Sequence, residues 1–481
     1  MESISEYNLP KEGLNVEKTD KPKEAVEPSS FKKTQISLLA STLKGLNPYI
    51  AQDYSIEMIL KLCYQGLMTL TASGEIMEQL ANEVILSEDT LSCQIDLGEK
   101  YFHNGSKVGY KDILYSWQKA KEGRYAEEVA AIKKISPLKN DRIQVDFHTK
   151  GKLNLYSLVF PIVADKSLEK GNLREINGTG AYRLIEYKPM QTMTLKSEWN
   201  ELEVRLSRTE NVIRDGFLHG LTDIYYADEF PWFSFSEETL KNISKFPGRY
   251  FYYMGFHSNN PVLADINHRQ YLLHKLDFEE LKKTAFLNHI IEQSLPFYRG
   301  FEWELNQEKE ELPEGMNILD SNPLPIGQKL KLIYLSEDIS MKILAERLLQ
   351  EWQPYIGMEI AGYSQADFDK AVLAGDYDVY LAKMPLKETP NMRNFLGSSG
   401  KYNYSKVAVF DSAVEVFMQA DNDEMLKKAY LQLAKEMTES KWILPFGFKE
   451  NAIILNNQVK GPITPKTYDL LSGIGELRVV K

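Results

Sequence analysis

The sequence predicts a mixed α/β protein of two or three domains. The chain has 481 residues, and folded domains commonly run to about 100–200. Hydrophobic residues make up 43% and aromatic residues 11%, enough for sizeable cores, while a charged fraction of 26% suits an ordinary globular surface. From Leu330 to Leu381, stretches with strand and helix patterns alternate as β-α-β-α-β, the rhythm of parallel strands covered by helices.

The elements follow in order. Residues 1–34 are rich in Glu, Lys, Pro and Ser and bury too little apolar surface to offset their ordering entropy, so they read as a disordered tether. Ile56, Ile59, Leu60, Cys63 and Leu67 recur at helical spacing. Ile113, Leu114 and Trp117 mark a second helix, with Asp112 near its N-terminus. Ile143, Val145 and Phe147 alternate as a half-buried strand, and Met193 and Leu195 do the same. Further on, Leu330–Leu335 reads as a strand, and Ile339, Ile343, Leu344, Leu348 and Trp352 as a helix. Met358–Ile360 is a strand, Phe368, Ala371 and Val372 lie on a short helix, and Tyr377–Leu381 is a strand. A long amphipathic helix carries Met425, Leu426, Ala429, Tyr430, Leu433, Ala434 and Met437.

Several function classes lose support. A net charge of -11 argues against a sequence-blind nucleic-acid binder, which needs a basic face. No run of about 18 apolar residues offers a membrane helix. The start Met1–Glu6 lacks the basic and apolar regions of a signal peptide, so the chain is expected to be cytoplasmic or a processed form. Cys63 and Cys93 sit in apolar surroundings and read as core thiols, a disulfide being the other reading. The 7 His (positions 103, 148, 219, 257, 268, 274 and 289) show no metal-ligand spacing. Gly178-Thr-Gly180 lacks the rest of a nucleotide loop, Gly397-Ser-Ser-Gly400 lacks the completed nucleophile elbow, and Glu279-Glu280 reads as surface charge. No catalytic residue, metal or cofactor is expected.

Short fragments in one order carry a family resemblance. They are Leu46-Asn-Pro-Tyr49, Tyr64-Gln-Gly-Leu67, Tyr101-Phe-His-Asn-Gly105, Lys111-Asp-Ile-Leu-Tyr-Ser-Trp-Gln118, Gly178-Thr-Gly-Ala-Tyr182, Tyr252-Tyr-Met-Gly-Phe256, His268-Arg-Gln270 and Trp442-Ile-Leu-Pro-Phe446. Together they resemble the bacterial extracellular solute-binding proteins of family 5, the oligopeptide- and dipeptide-binding components of ABC importers. The resemblance implies a two-lobed, periplasmic-binding-protein-like α/β fold of the large type II class. Lobe one would comprise 35–60, 161–256 and 446–481, with an inserted subdomain at 61–160, and lobe two would be 257–445. The chain would cross between lobes near Phe256 and Leu444, forming a hinge. The implied protein is not an enzyme. It is a monomer outside the cytoplasm, in the periplasm or as a tethered lipoprotein, that closes on a peptide and delivers it to a membrane permease. A metal chelate, haem or signalling peptide is the alternative ligand, and a cytoplasmic peptide sensor the alternative role.

The same resemblance nominates a ligand site. Gln52, Asp53 and Tyr54 occupy its ligand-facing stretch. Tyr125, within Arg124-Tyr-Ala126, stands where an aromatic meets the peptide backbone, with a packed loop anchor as the other reading. Phe446 and Phe448 would line the hinge side or else pack in the core. Where the family has Trp and then an acid that holds the peptide's amino terminus, this chain has Met384 and Lys387, and Glu388 is the acid at hand. Either Glu388 takes the amine, or the ligand is blocked or cyclic there, or Lys387 holds an anionic group; Lys387 facing solvent is the remaining reading.

Overall fold

The computed structural model describes residues 34–480, except 41–42, 51, 170–175, 208, 228–231, 233–234 and 306–323. The tether expected over 1–34 lies outside the described residues except for Thr34.

The β-α-β-α-β rhythm forms one edge of an 11-stranded sheet. Strand Lys329–Leu335 pairs in parallel with both Gly357–Tyr363 and Val379–Pro385. Helices Ile339–Trp352 and Gln365–Ala374 make the crossovers. Both start on side-chain caps: Asp338 accepts from Met341 N at 3.2 Å and Ser364 from Asp367 N at 3.3 Å. Trp352 is fully buried and donates its indole N–H to Leu272 O at 2.8 Å. The third strand begins at Val379 rather than Tyr377. Just before it, Asp378 donates its backbone N–H to Lys331 O at 2.9 Å and accepts from His257 N at 2.8 Å, while its carboxylate accepts from Lys331 N and Asn260 Nδ2, each at 2.7 Å.

Two long antiparallel strands, Ile243–Phe256 and Ile443–Leu455, run through the middle of this sheet. Their pairing holds from Ile243↔Ile454 to Pro247↔Glu450, breaks, and resumes at Phe251↔Phe448. The break separates two hydrophobic cores. Phe251 to Phe256, Ile443, Phe446 and Phe448 belong to a core with Leu330, Trp352, Phe395 and Tyr430. Phe246, Ile453 and Leu455 belong to the other, with Ile56, Ile113, Phe160, Leu202 and Leu470. The sheet continues on that side through Ile224–Ala227, Thr34–Ala40, Asn200–Leu206, Thr192–Lys196 and Arg183–Lys188. Two cores joined by two shared strands make a two-lobed α/β fold.

A separate 4-stranded antiparallel sheet lies within the first lobe's core, in the order Glu83–Leu86, Ser92–Asp96, Arg142–Phe147, Ile132–Pro137. Helix Tyr110–Glu122 accompanies it, and Asp112 holds the helix start by accepting from Gly109 N and, across the chain, Asp165 N, each at 2.8 Å. The first helix, expected to reach Leu67, is Tyr54–Lys61. Beyond it the carbonyls of Leu62 and Cys63 serve another partner, Tyr182 N at 3.0 Å and Gly180 N at 2.8 Å. A Cβ on Gly178 would stand 1.9 Å from Cys63 O, so the backbone approach there requires glycine. Cys63 and Cys93 are free and buried.

Candidate ligand-binding cleft

Where the two lobes face each other, the helix Tyr54–Lys61 and the loop after Gly123 approach the segment that follows strand Val379–Pro385. They enclose a small cavity of about 30 Å³, whose lining includes Tyr54, Glu57, Arg124, Tyr125, Glu128 and Lys387. Leu386, Glu388 and Tyr468 complete its lobe-two and C-terminal sides. That volume is on the scale of one or two waters.

Charged side chains of both signs fill the interface. Arg124 donates to Glu57 Oε2 at 2.6 Å and to Tyr125 Oη at 2.8 Å. Lys387 Nζ donates to Glu128 Oε1 at 2.9 Å, and Lys61 pairs with Glu388 and donates to Tyr468 O at 3.0 Å. Burial and the neighbouring Arg124 charge bring the Lys61 ammonium down to about 8, despite Asp469, Glu57 and Glu128 nearby. Burial pushes Tyr125 up to about 12 and raises Asp469, outweighing the Lys61 and Lys466 charges on the latter. Neutral bonds add to the closure: Tyr468 Oη donates to Lys387 O at 3.1 Å and Thr389 Oγ1 to Tyr156 O at 3.0 Å. At the far end, Asp423 receives Lys152 at 2.6 Å and Arg299 at 2.7 Å, and Arg299 also holds Glu75 at 3.0 Å.

Four of the nominated residues come together at this cavity: Tyr54, Tyr125, Lys387 and Glu388. The other five do not line it. Gln52 is a buried loop clamp, accepting from Lys44 N at 2.9 Å and donating to Gly45 O at 2.7 Å. Asp53 is exposed at the helix N-cap. Met384, Phe446 and Phe448 are buried in the lobe-two core, where Phe448 meets Phe251 at 5.2 Å and Phe446 meets Phe286 at 5.9 Å between ring centroids. Glu57, Arg124 and Glu128 were not nominated; adjacency of Arg124 to Tyr125 was the one signal for them. A second cavity, of about 100 Å³, lies beside it and shares Arg249. Its Lys383 is already held by Asp338 at 2.6 Å, and Asp338 also accepts from Tyr252 Oη at 3.0 Å.

Among the described residues no cluster of His, Cys, Asp or Glu is arranged to hold a metal ion. Nor is any described helix long and apolar enough to cross a membrane.

The family profile of bacterial extracellular solute-binding proteins, family 5 Middle, matches residues 75–405, more than half the chain. Oligopeptide-binding protein OppA of Bacillus subtilis (strain 168) is 22% identical over 375 residues, covering 66% of this chain and 68% of its own. Among solved structures, the oligopeptide-binding protein AppA from Bacillus subtilis in complex with a nonapeptide superposes with a TM-score of 0.66 at 15% identity, covering 93% of this chain and 100% of that one. NikZ from Campylobacter jejuni, in complex with Ni(L-His), gives 0.66 at 17% identity over 93% and 100%. At such identities these structures speak for the fold alone.

Proposed function

The chain belongs to the bacterial extracellular solute-binding proteins of family 5, and we propose that it is the receptor of an ABC importer, capturing an oligopeptide between its lobes and presenting it to a membrane permease. The observation that carries this reading is the cleft itself. Two cores are joined by two strands whose pairing breaks between Pro247 and Phe251, and opposed charges line the surfaces that meet. A broken ladder bends at lower cost than a continuous one, so we place the hinge at 247–251 and 448–450. Lobe one then comprises the chain before the first crossing and after the second, with its inserted subdomain at 61–160; lobe two lies between the crossings.

Ligand energy is spent on closure and on exchanging ion pairs, and no bond is made or broken. Tyr54 and Tyr125 offer aromatic faces and hydroxyls to a peptide backbone at little entropy cost. The protein works as a monomer outside the cytoplasm, with residues 1–34 as the tether of a lipid-anchored form. The relatives' names favour a peptide; NikZ, with its nickel chelate, supplies the second reading, a small chelate held by the same cleft.

Native mass spectrometry of the freshly purified protein, repeated after denaturation, tests the reading. Released peptides support it. Released metal chelates, or a ligand-free protein that ignores a peptide library, move the assignment away from peptides.

A further inference from the structure

The carboxylate of Glu128 is half used. Its side chain is 4% exposed, Oε1 receives Lys387, and Oε2 has no hydrogen-bond partner among the described residues although it is buried beside the cavity. A buried carboxylate oxygen without a donor is costly, and natural interiors rarely leave one. The other cations lining the cavity are engaged: Arg124 with Glu57 and Tyr125, and Arg249 over the rings of Tyr54 and Tyr250; nearby Lys61 is held by Glu388 and Tyr468. Lys387 itself is 31% exposed, reaches Glu128 from the opposite lobe, and is the least buried member of the pair.

We infer that Glu128 is the subsite for a protonated amine of the ligand, and that Lys387 Nζ stands in for that amine when the cleft is shut on itself. This rests on the proposed cleft and specifies its ligand. The resemblance led to an acid at position 387, on lobe two; here the acid stands across the cleft at 128 and the lysine faces it. A ligand ammonium arriving on the lobe-one surface meets Glu128 first, makes a charge-assisted bond in a dry site, and releases Lys387. The released lysine turns to an anionic or carbonyl group of the same ligand. Glu388, held by Lys61, does not serve the amine.

Calorimetric titration of the full chain tests this with three probes: a pool of free-amine alanine peptides, the same pool N-acetylated, and 1,5-diaminopentane. A charge-assisted bond to a buried carboxylate corresponds to a preference of about tenfold or more for the free amine over the acetylated pool. Glu128→Gln is expected to abolish that preference, and Lys387→Ala, which frees both oxygens, to tighten binding of 1,5-diaminopentane, which offers the lysine no anionic or carbonyl group. Lys387→Ala also decides the matter if Glu128→Gln does not fold. If 1,5-diaminopentane binds in a Glu128-dependent way and neither peptide pool does, the amine subsite stands and the peptide reading falls. Equal binding of acetylated and free pools, an undiminished preference in Glu128→Gln, weaker binding of 1,5-diaminopentane in Lys387→Ala, or no binding of any amine overturns the inference.

Discussion

Lys387 and Glu128 form an ion pair of 2.9 Å between segments far apart in sequence, one on each side of the cleft. Its two members are unequally buried, at 31% and 4% exposure, so removing them has unequal consequences. Lys387→Met leaves a buried carboxylate without a donor and is expected to cost about 1–3 kcal/mol in the closed form. The double variant Glu128→Gln, Lys387→Met is expected to recover part of that loss, with a coupling energy of about 0.5–3 kcal/mol in a thermal-denaturation cycle. Strict additivity of the two single changes would show that the pair does not hold the lobes together.

The backbone approaches closely at Gly151. Its φ is 135°, and a Cβ there would stand 2.3 Å from Met418 O. The neighbouring Lys152 N donates to Ala420 O at 2.8 Å, so residues 151–152 meet the segment 418–420 here. Gly151→Ala is expected to leave the far-ultraviolet circular dichroism spectrum intact and to weaken ligand binding by about fivefold or more, since backbone strain of this kind costs on the order of 1–3 kcal/mol. Unchanged affinity would mean that the lobes need not meet there.

The two cysteines offer a probe of the cores. Burial raises the Cys63 thiol far above its ordinary value, and burial with the Asp146 charge brings Cys93 up to about 12. Both are therefore expected to stay unreactive toward a disulfide reagent at neutral pH in the native protein and to react fully after denaturation. Fast labelling of the native protein at either position would contradict the burial described.

Lys61 gives the cleft a pH signature. Its ammonium titrates at about 8 in the folded protein, against about 10.4 for an unperturbed lysine. Between these values the unfolded chain holds more of this proton, so the group's contribution to stability rises with pH across the window. The melting temperature of the wild type relative to Lys61→Met is expected to rise from about pH 8 to about pH 10. A difference that stays flat or falls would place the Lys61 pKa at or above its ordinary value.

The legible parts of this fold were those whose pattern is local. Ile339, Ile343, Leu344, Leu348 and Trp352 describe one face of a helix, and the helix is Ile339–Trp352. The strand read from Tyr377 begins at Val379: Asp378 still bonds Lys331 O and His257 N through its backbone, but Lys331 N goes to the Asp378 carboxylate rather than to a strand carbonyl. Likewise the helix read to Leu67 stops at Lys61 because the carbonyls beyond it are taken by Gly180 and Tyr182, residues far along the chain. Lobe-one strands such as Arg183–Lys188 left little trace, since their burial alternates weakly. At the cleft, family resemblance nominates Tyr54, Tyr125, Lys387 and Glu388, and the four line one cavity. Glu128 follows another glutamate, and nothing local distinguishes Glu127, near Lys401 at 3.6 Å, from Glu128. Only folding brings Lys387 to one of them.

The lobes are expected to close on a ligand about the paired strands Ile243–Phe256 and Ile443–Leu455. Small-angle X-ray scattering reads that closure. Protein stripped of ligand by denaturation and refolding should show a larger radius of gyration than the same protein saturated with the peptides it releases. An identical radius in both samples, with binding confirmed by calorimetry, would contradict closure and leave a rigid protein with a fixed cleft.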